Sequence, residues 1–206
     1  MKPITVLIVD DHAILRMGLA SLLANKKGIE VVGDAASGAA ALPKVRKLKP
    51  DVVVMDLMMP GMDGAEATRR ILEVEPETKV LILTTYGTAN ALAHALDAGA
   101  RGAVLKNEDF TDLVDSIRTV AAGGRAVSPE IEQMLATDPP LPELAPRQRE
   151  ILQHITRGLS NADIATQLGI SLPTVKEHVK ALLDKIGASN RSEAIAIAMR
   201  KYLLKI

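Results

Sequence analysis

Asp10 and Asp11 follow the aliphatic run Ile4–Val9, Asp56 follows Val52–Met55, Thr84 follows Lys79–Leu83, and Lys106 follows Gly102–Leu105. A short β-branched run bounded by turn residues reads as a strand buried on both faces, so each polar group falls where a strand ends. Three carboxylates brought together repel one another and raise each other's pKa unless a cation offsets them. Oxygen-rich ligands of this kind favour Mg²⁺, which keeps several waters and takes one or two carboxylates plus phosphate oxygens. Lys106 adds the positive charge that a phosphoryl oxygen in transfer needs. Asp56 is then a candidate nucleophile forming an acyl phosphate, with the Thr84 hydroxyl close enough to sense the product.

The segments between these runs must bring the groups to one place. His12–Leu23 carries Ile14, Leu15, Leu19, Leu22 and Leu23 at helical spacing, Ile29–Val32 reads as a strand, and Ser37–Leu48 reads as a helix. Pro43 should kink that helix, because it lacks an N–H and its ring crowds the preceding turn. Helices are predicted over Asp63–Leu72, Ala89–Leu96 and Asp109–Ala121. Regular alternation of strand and helix implies a parallel sheet covered on both faces with right-handed crossovers. In such sheets ligands sit outside the carboxyl ends of the strands, where Asp10, Asp11, Asp56, Thr84 and Lys106 all fall.

Val-Asp-Asp, Met-Asp-Leu-Met-Met-Pro-Gly-Met-Asp-Gly, Leu-Thr-Thr and Leu-Lys, in that order and spacing, resemble the receiver domain of a two-component response regulator. The resemblance covers residues 1–122 and implies a doubly wound (βα)5 receiver of flavodoxin-like fold. It further implies that Asp56 accepts phosphate from a sensor histidine kinase. Asp10, Asp11, Asp56 and the Met58 carbonyl would hold Mg²⁺, and Thr84 and Lys106 would bind the phosphoryl oxygens. One departure is Ala103, which stands where this family usually has an aromatic switch residue.

Gly123-Gly124 ends the α/β pattern, and residues 123–142 read as a linker, with a possible short helix over 128–135 before three prolines. Residues 143–206 hold four helical stretches: Pro146–Thr156, Asn161–Gln167, a third from Leu172 or Pro173 to Ile186, and Ser192–Leu204. Gly158, Gly169, Ser160 with Asp163, and Ser171 with Pro173 supply the stops and starts, and the second and third stretches form a helix-turn-helix candidate. On the third, Val175, Val179, Leu182 and Ile186 should face the core, leaving Lys176, Glu177, Lys180 and Asp184 outward.

Residues 144–198, from Leu-Ala-Pro-Arg-Gln-Arg-Glu through Gly-Leu-Ser-Asn-Ala-Asp-Ile-Ala to Thr-Val-Lys-Glu-His-Val-Lys, resemble a small all-α LuxR-type DNA-binding domain. With the receiver, the chain is similar to transcriptional regulators of the NarL/FixJ subfamily. That resemblance implies Lys176, Glu177 and Lys180 nearest the bases, Thr174 and Arg191 at phosphates, and a homodimer on a pseudo-palindrome of promoter DNA. Ala145 replaces a usual capping Thr and Gln148 a usual Glu, which should weaken that helix start by about 1 kcal/mol.

The rest of the chain narrows the alternatives. It has 206 residues, 48% hydrophobic content and no cysteine, so neither disulfides nor thiolate metal sites hold it together. The absence of any apolar run approaching ~18 residues predicts a cytoplasmic protein without a membrane segment. Its zero net charge divides into 15 Lys+Arg against 19 Asp+Glu over residues 1–140 and 10 against 6 over residues 141–206. The four histidines lack ligand spacing and read as surface or packing residues. With three aromatic side chains there is no stacking platform for single strands, so duplex DNA is the expected partner. An aspartyl phosphatase is disfavoured because Met58 stands where a second acid is needed two residues after Asp56. The remaining alternative is a constitutive DNA-binding regulator whose receiver is a phosphorylation-independent dimerisation scaffold.

Overall fold

The computed structural model describes residues 2–85, 88–107, 109–142, 144–201, 203 and 204. The chain divides into two compact units, Met1–Pro139 and Pro140–Ile206. In the first, strands β1 Ile4–Val9, β2 Ile29–Ala35, β3 Val52–Asp56, β4 Lys79–Thr84, β5 Gly102–Leu105 and β6 Ala126–Val127 form one parallel sheet in the order β2-β1-β3-β4-β5-β6. Between them run α1 Ala13–Ala24, α2 Gly38–Leu48, α3 Gly64–Val74, α4 Ala89–Asp97 and α5 Phe110–Ala121, and α6 Pro129–Thr137 follows β6.

The two-residue period of a strand divides the core into two layers. Leu7, Val9, Val53, Met55, Val80, Ile82 and Ala103 point to one face, where they meet buried residues of α2, α3, α4 and α6. Val6, Ile8, Val52, Val54, Leu81, Leu83 and Val104 point to the other, against α1 and α5. Chain order reverses between β1 and β3, the switch point that opens a crevice at the carboxyl edge of such a sheet. Asp10 and Asp56 stand at the ends of those two strands.

Local chemistry sets the elements. Ser37, Asp63 and Thr88 cap α2, α3 and α4 by accepting from Ala40, Glu66 and Ala91 N–H at 3.2, 2.8 and 3.2 Å. Pro43 lies inside α2, which nevertheless runs from Gly38 to Leu48.

Two sequence expectations change. The short helix expected over 128–135 is present as α6, but together with β6 it belongs to the first unit and not to a linker. Gly102 permits the added strand, since a Cβ there would stand 2.1 Å from the Ala126 carbonyl oxygen. Ile131 of α6 is fully buried in the core layer that contains Leu92, Ala95 and Ala103, and α6 packs on α4 and β5. On α1 only Leu19 and Leu23 are buried, while Ile14, Met17 and Leu22 are 89%, 71% and 51% exposed.

The second unit is all helix: α7 Pro146–Thr156, α8 Asn161–Leu168, α9 Leu172–Ile186 and α10 Arg191–Arg200. Ile151, Leu152, Ile155, Ile164, Val175, Leu182 and Ala194 form its centre. Ser160 and Ser171 cap α8 and α9. Gly169, at φ 62°, supplies the left-handed turn between them. No helix among the described residues is long and apolar enough to cross a membrane.

Candidate functional site

Two strand ends and one loop build the acidic site. Asp10 and Asp56 are 4% and 5% exposed, at the exits of neighbouring β1 and β3. The loop after β3 is drawn tight beneath them: Gly64 N–H donates to the Leu57 carbonyl at 2.9 Å, and a Cβ on Gly64 would stand 2.6 Å from the Asp56 carbonyl oxygen. Glycine therefore fixes where the Met58 segment begins and ends, and Met58 itself is partly exposed.

Lys106 enters from the end of β5. Its backbone N–H donates to the Thr84 carbonyl at 2.8 Å, which ties the ends of β4 and β5 together. Its Nζ then reaches Asp10 Oδ2 at 2.6 Å and Asp56 Oδ1 at 3.1 Å. Thr84 is buried at the end of β4. The structure thus gathers Asp10, Asp11, Asp56, Thr84 and Lys106 along one sheet edge.

Burial pushes the Asp56 carboxyl above its ordinary pKa; Lys106 opposes that rise by charge and hydrogen bond, and the charges of Asp10 and Asp11 add to it. One lysine faces three carboxylates, so the site carries net negative charge. Asp11 Oδ1 is buried and accepts no hydrogen bond, although His12 Nδ1 stands 2.9 Å away. Asp10, Asp11, His12 and Asp56 offer ligand atoms all within 4.8 Å of one another, so the cluster can hold a metal ion. A cation there would neutralise the excess charge and satisfy the orphaned oxygen.

Sequence reasoning passed over two contributors. His12 was read as a surface or packing residue, yet its Nδ1 also lies 3.4 Å from Asp10 Oδ1. Arg16 donates from its guanidinium to the Asp10 carbonyl at 2.7 Å and to Asp34 Oδ2 at 2.6 Å, bracing the acidic pair from α1 and β2. A lone basic residue one turn into a helix gives no pattern to find; the adjacency of His12 to Asp10-Asp11 was the available signal.

In the second unit, α8 and α9 pack together as a helix-turn-helix. Lys176, Glu177, Lys180, Ala181 and Asp184 are exposed on α9, opposite buried Val175, Leu182 and Ile186. Thr174 is half-buried, with its hydroxyl 2.8 Å from that of Ser171. Arg191 is differently placed: its guanidinium donates to the Ile155 carbonyl at 3.4 Å, to the Leu159 carbonyl, and to Asn161 Oδ1 at 3.5 Å. It anchors the start of α10 to the α7–α8 turn. At α7 the expected loss of a cap is half offset, since Gln148 Oε1 accepts from Ala145 N–H at 3.1 Å while alanine has no side-chain oxygen to offer in return.

Residues 6–118 match the response regulator receiver domain, and residues 142–198 match the bacterial regulatory proteins of the luxR family. The response regulator protein VraR of Staphylococcus aureus is 38% identical over 207 residues, covering 98% of this chain and 99% of the relative. The crystal structure of the response regulator ChrA, from a heme-sensing two-component system, is similar at 37% identity and TM-score 0.59, covering 99% of this chain and all of that one. RcsB from Salmonella enterica serovar Typhimurium, bound to promoter P1flhDC in the presence of the phosphomimetic BeF3-, is 27% identical with TM-score 0.66, covering 95% and 98% of the two chains. Neither matched family is an enzyme family. With both functional regions present on the folds that the matches require, the chain belongs to the response regulators of NarL/FixJ type, in which a receiver domain is joined to a LuxR-type DNA-binding domain.

Proposed function

We propose that Asp56 is the phosphoacceptor and that its phosphorylation controls dimerisation and promoter binding in the cytoplasm. A sensor histidine kinase supplies the phosphoryl group. An Asp56 oxygen bonds to phosphorus as the nitrogen–phosphorus bond of the kinase's phosphohistidine breaks, and the imidazole departs with the electron pair and takes up a proton. The observation that carries this reading is the Lys106 ammonium between Asp10 and Asp56, at 2.6 and 3.1 Å.

Mg²⁺ is the ion this oxygen-rich set favours; Asp10, Asp11 and Asp56 would hold it, joined by the Met58 carbonyl as the family resemblance implies. When bound it would neutralise phosphoryl oxygens. Lys106 leaves Asp56 to meet an incoming phosphoryl oxygen while Asp10 keeps it near, and Thr84 donates its hydroxyl to another. Domain bounds of 1–139 and 140–206 follow the two compact units. On the DNA side, Lys176, Glu177 and Lys180 approach the bases and Thr174 a phosphate, with Arg191 holding the turn behind them. A relative, RcsB, is bound to promoter DNA in the presence of a phosphomimetic, which supports a DNA-binding role for the second unit.

The test is DNA binding by wild type and Asp56→Ala with Mg²⁺, with and without acetyl phosphate, alongside sedimentation to read dimer formation. Tighter binding and dimerisation in the phosphodonor by wild type alone are expected. Equal affinity of both proteins under all conditions would instead favour a receiver acting as a fixed dimerisation scaffold, the reading for which Ala103 is the specific observation.

A further inference from the structure

The acidic residues of the second unit divide into those with a structural task and those without one. Glu150 pairs with Arg147 at 2.7 Å. Asp163 accepts from Ser160 N–H at 3.0 Å and Glu193 from Ser189 N–H at 2.7 Å, so both hold helix starts. Glu177 does neither. It is exposed on α9, and among the described residues it forms no ion pair or side-chain hydrogen bond. Its neighbours one turn away are Pro173 and Ala181, which offer no charge at the i±4 positions that best pair on a helix. Asp184 is also outward, but it lies near the end of α9. Recognition helices meet base edges with their N-terminal half.

A carboxylate carried into a groove walled by phosphates is repelled and loses water, so it weakens binding unless a donor on the DNA replaces that water. The major groove offers two amino donors, cytosine N4 and adenine N6. Adenine places its N7 acceptor beside N6, where it repels a carboxylate; cytosine has no acceptor beside N4 on that edge. The guanine paired with that cytosine presents O6 and N7, which accept from a lysine. Lys180 is three residues from Glu177 and exposed on the same side of the helix.

Building on the assignment of α9 as the helix that enters DNA, we propose that Glu177 is a specificity-determining residue. Its carboxylate accepts from the N4 amino group of a cytosine, while Lys180 donates to the guanine of the same base pair. Two neighbouring side chains of opposite charge thereby read one C·G pair in a single orientation. Glu177 also acts against other sequences, because opposite thymine or guanine its oxygens face O4 or O6 acceptors.

The experiment is selection of sites from a randomised duplex library by the full-length chain in Mg²⁺ and acetyl phosphate. Wild type, Glu177→Ala, Glu177→Gln and Lys180→Ala are compared, each checked for unchanged helicity. Wild type should prefer C·G at one position by about five- to 150-fold, the range for a well-formed base contact. Glu177→Ala should lose that preference, keep the others and bind unselected duplex more tightly. Glu177→Gln should move the preference toward adenine, since an amide both donates to N7 and accepts from N6. A structural role for Glu177 would not move the preferred base.

If Lys180→Ala weakens binding across sequences while both Glu177 variants select the same sites as wild type, the cytosine contact is overturned and α9 stands as the DNA helix. If all three variants select and bind as wild type does, the assignment of α9 fails as well.

Discussion

The two functional regions place their charges in opposite ways. In the first unit Asp10 and Asp56 are at most 5% exposed and answer to one lysine from a third strand. In the second, Lys176, Glu177 and Lys180 stand in solvent on a single helix. A site proposed to take a phosphoryl group gains from dry, fixed geometry, and the fold brings together groups 96 residues apart to make it. A surface that reads a polymer needs only a rigid helix and side chains free to adapt. The first arrangement ties function to stability; the second ties it to salt.

The largest expected effect comes from removing the shared cation. Lys106→Ala leaves the buried carboxylates without their counter-charge and should cost about 3–5 kcal/mol in chelator, by urea denaturation. Mg²⁺ should return part of that loss, and if Lys106→Ala unfolds like wild type in chelator, the buried side of the contrast is wrong. Ile131→Ala comes next. A fully buried isoleucine truncated to alanine should cost about 2–5 kcal/mol, and hydrogen exchange should place the loss in the first unit. A loss confined to residues 140–206 would break the assignment of α6.

Two smaller effects sharpen the comparison. Lys180→Ala should leave stability within about 0.5 kcal/mol of wild type and, as a guanine contact, should relax base preference while leaving the slope of log affinity against log salt nearly unchanged. A slope reduced by about 1 with base preference intact would place the side chain on a phosphate instead. Far from the acidic site, Thr5 donates to Asp51 Oδ2 from its N–H at 2.8 Å and from its hydroxyl at 2.6 Å. Burial alone would raise the Asp51 pKa, but these bonds and the Lys2 charge hold it below the ordinary value. The stabilisation is therefore present above the ordinary carboxylate range and lost as pH falls through the lowered folded value. Asp51→Asn should be less stable at pH 7 by about 0.5–1.5 kcal/mol and converge on wild type in acid.

Much of the acidic site was legible because each group follows a short buried strand, and a run such as Val52-Val53-Val54 has few other fates. The helix-turn-helix was legible through its punctuation: Ser160, Gly169 and Ser171 each perform the capping role their chemistry favours. What escaped notice depends on tertiary context. A two-residue strand has no periodicity, so Ala126-Val127 could be identified only against β5. On α1 the pattern gave Ile14 and Leu22 the same weight as Leu19 and Leu23, although only the latter pair faces the core. Arg191 has the charge of a phosphate contact and spends its donors on protein oxygens, a choice set by where α7 and α8 meet. Arg16 and His12 gain meaning only once β1 delivers Asp10 beside them.

The close passage of β6 over Gly102 bears on how such proteins exchange parts. A hybrid regulator joined after residue 122 would lose α6, leave the slot of Ile131 open beside Ala103 and bare the hydrogen-bonding edge of β5 to any passing chain. Grafts made at Pro139-Pro140 keep that edge sealed, so the portable cassette extends past the last full βα repeat and carries its own cover.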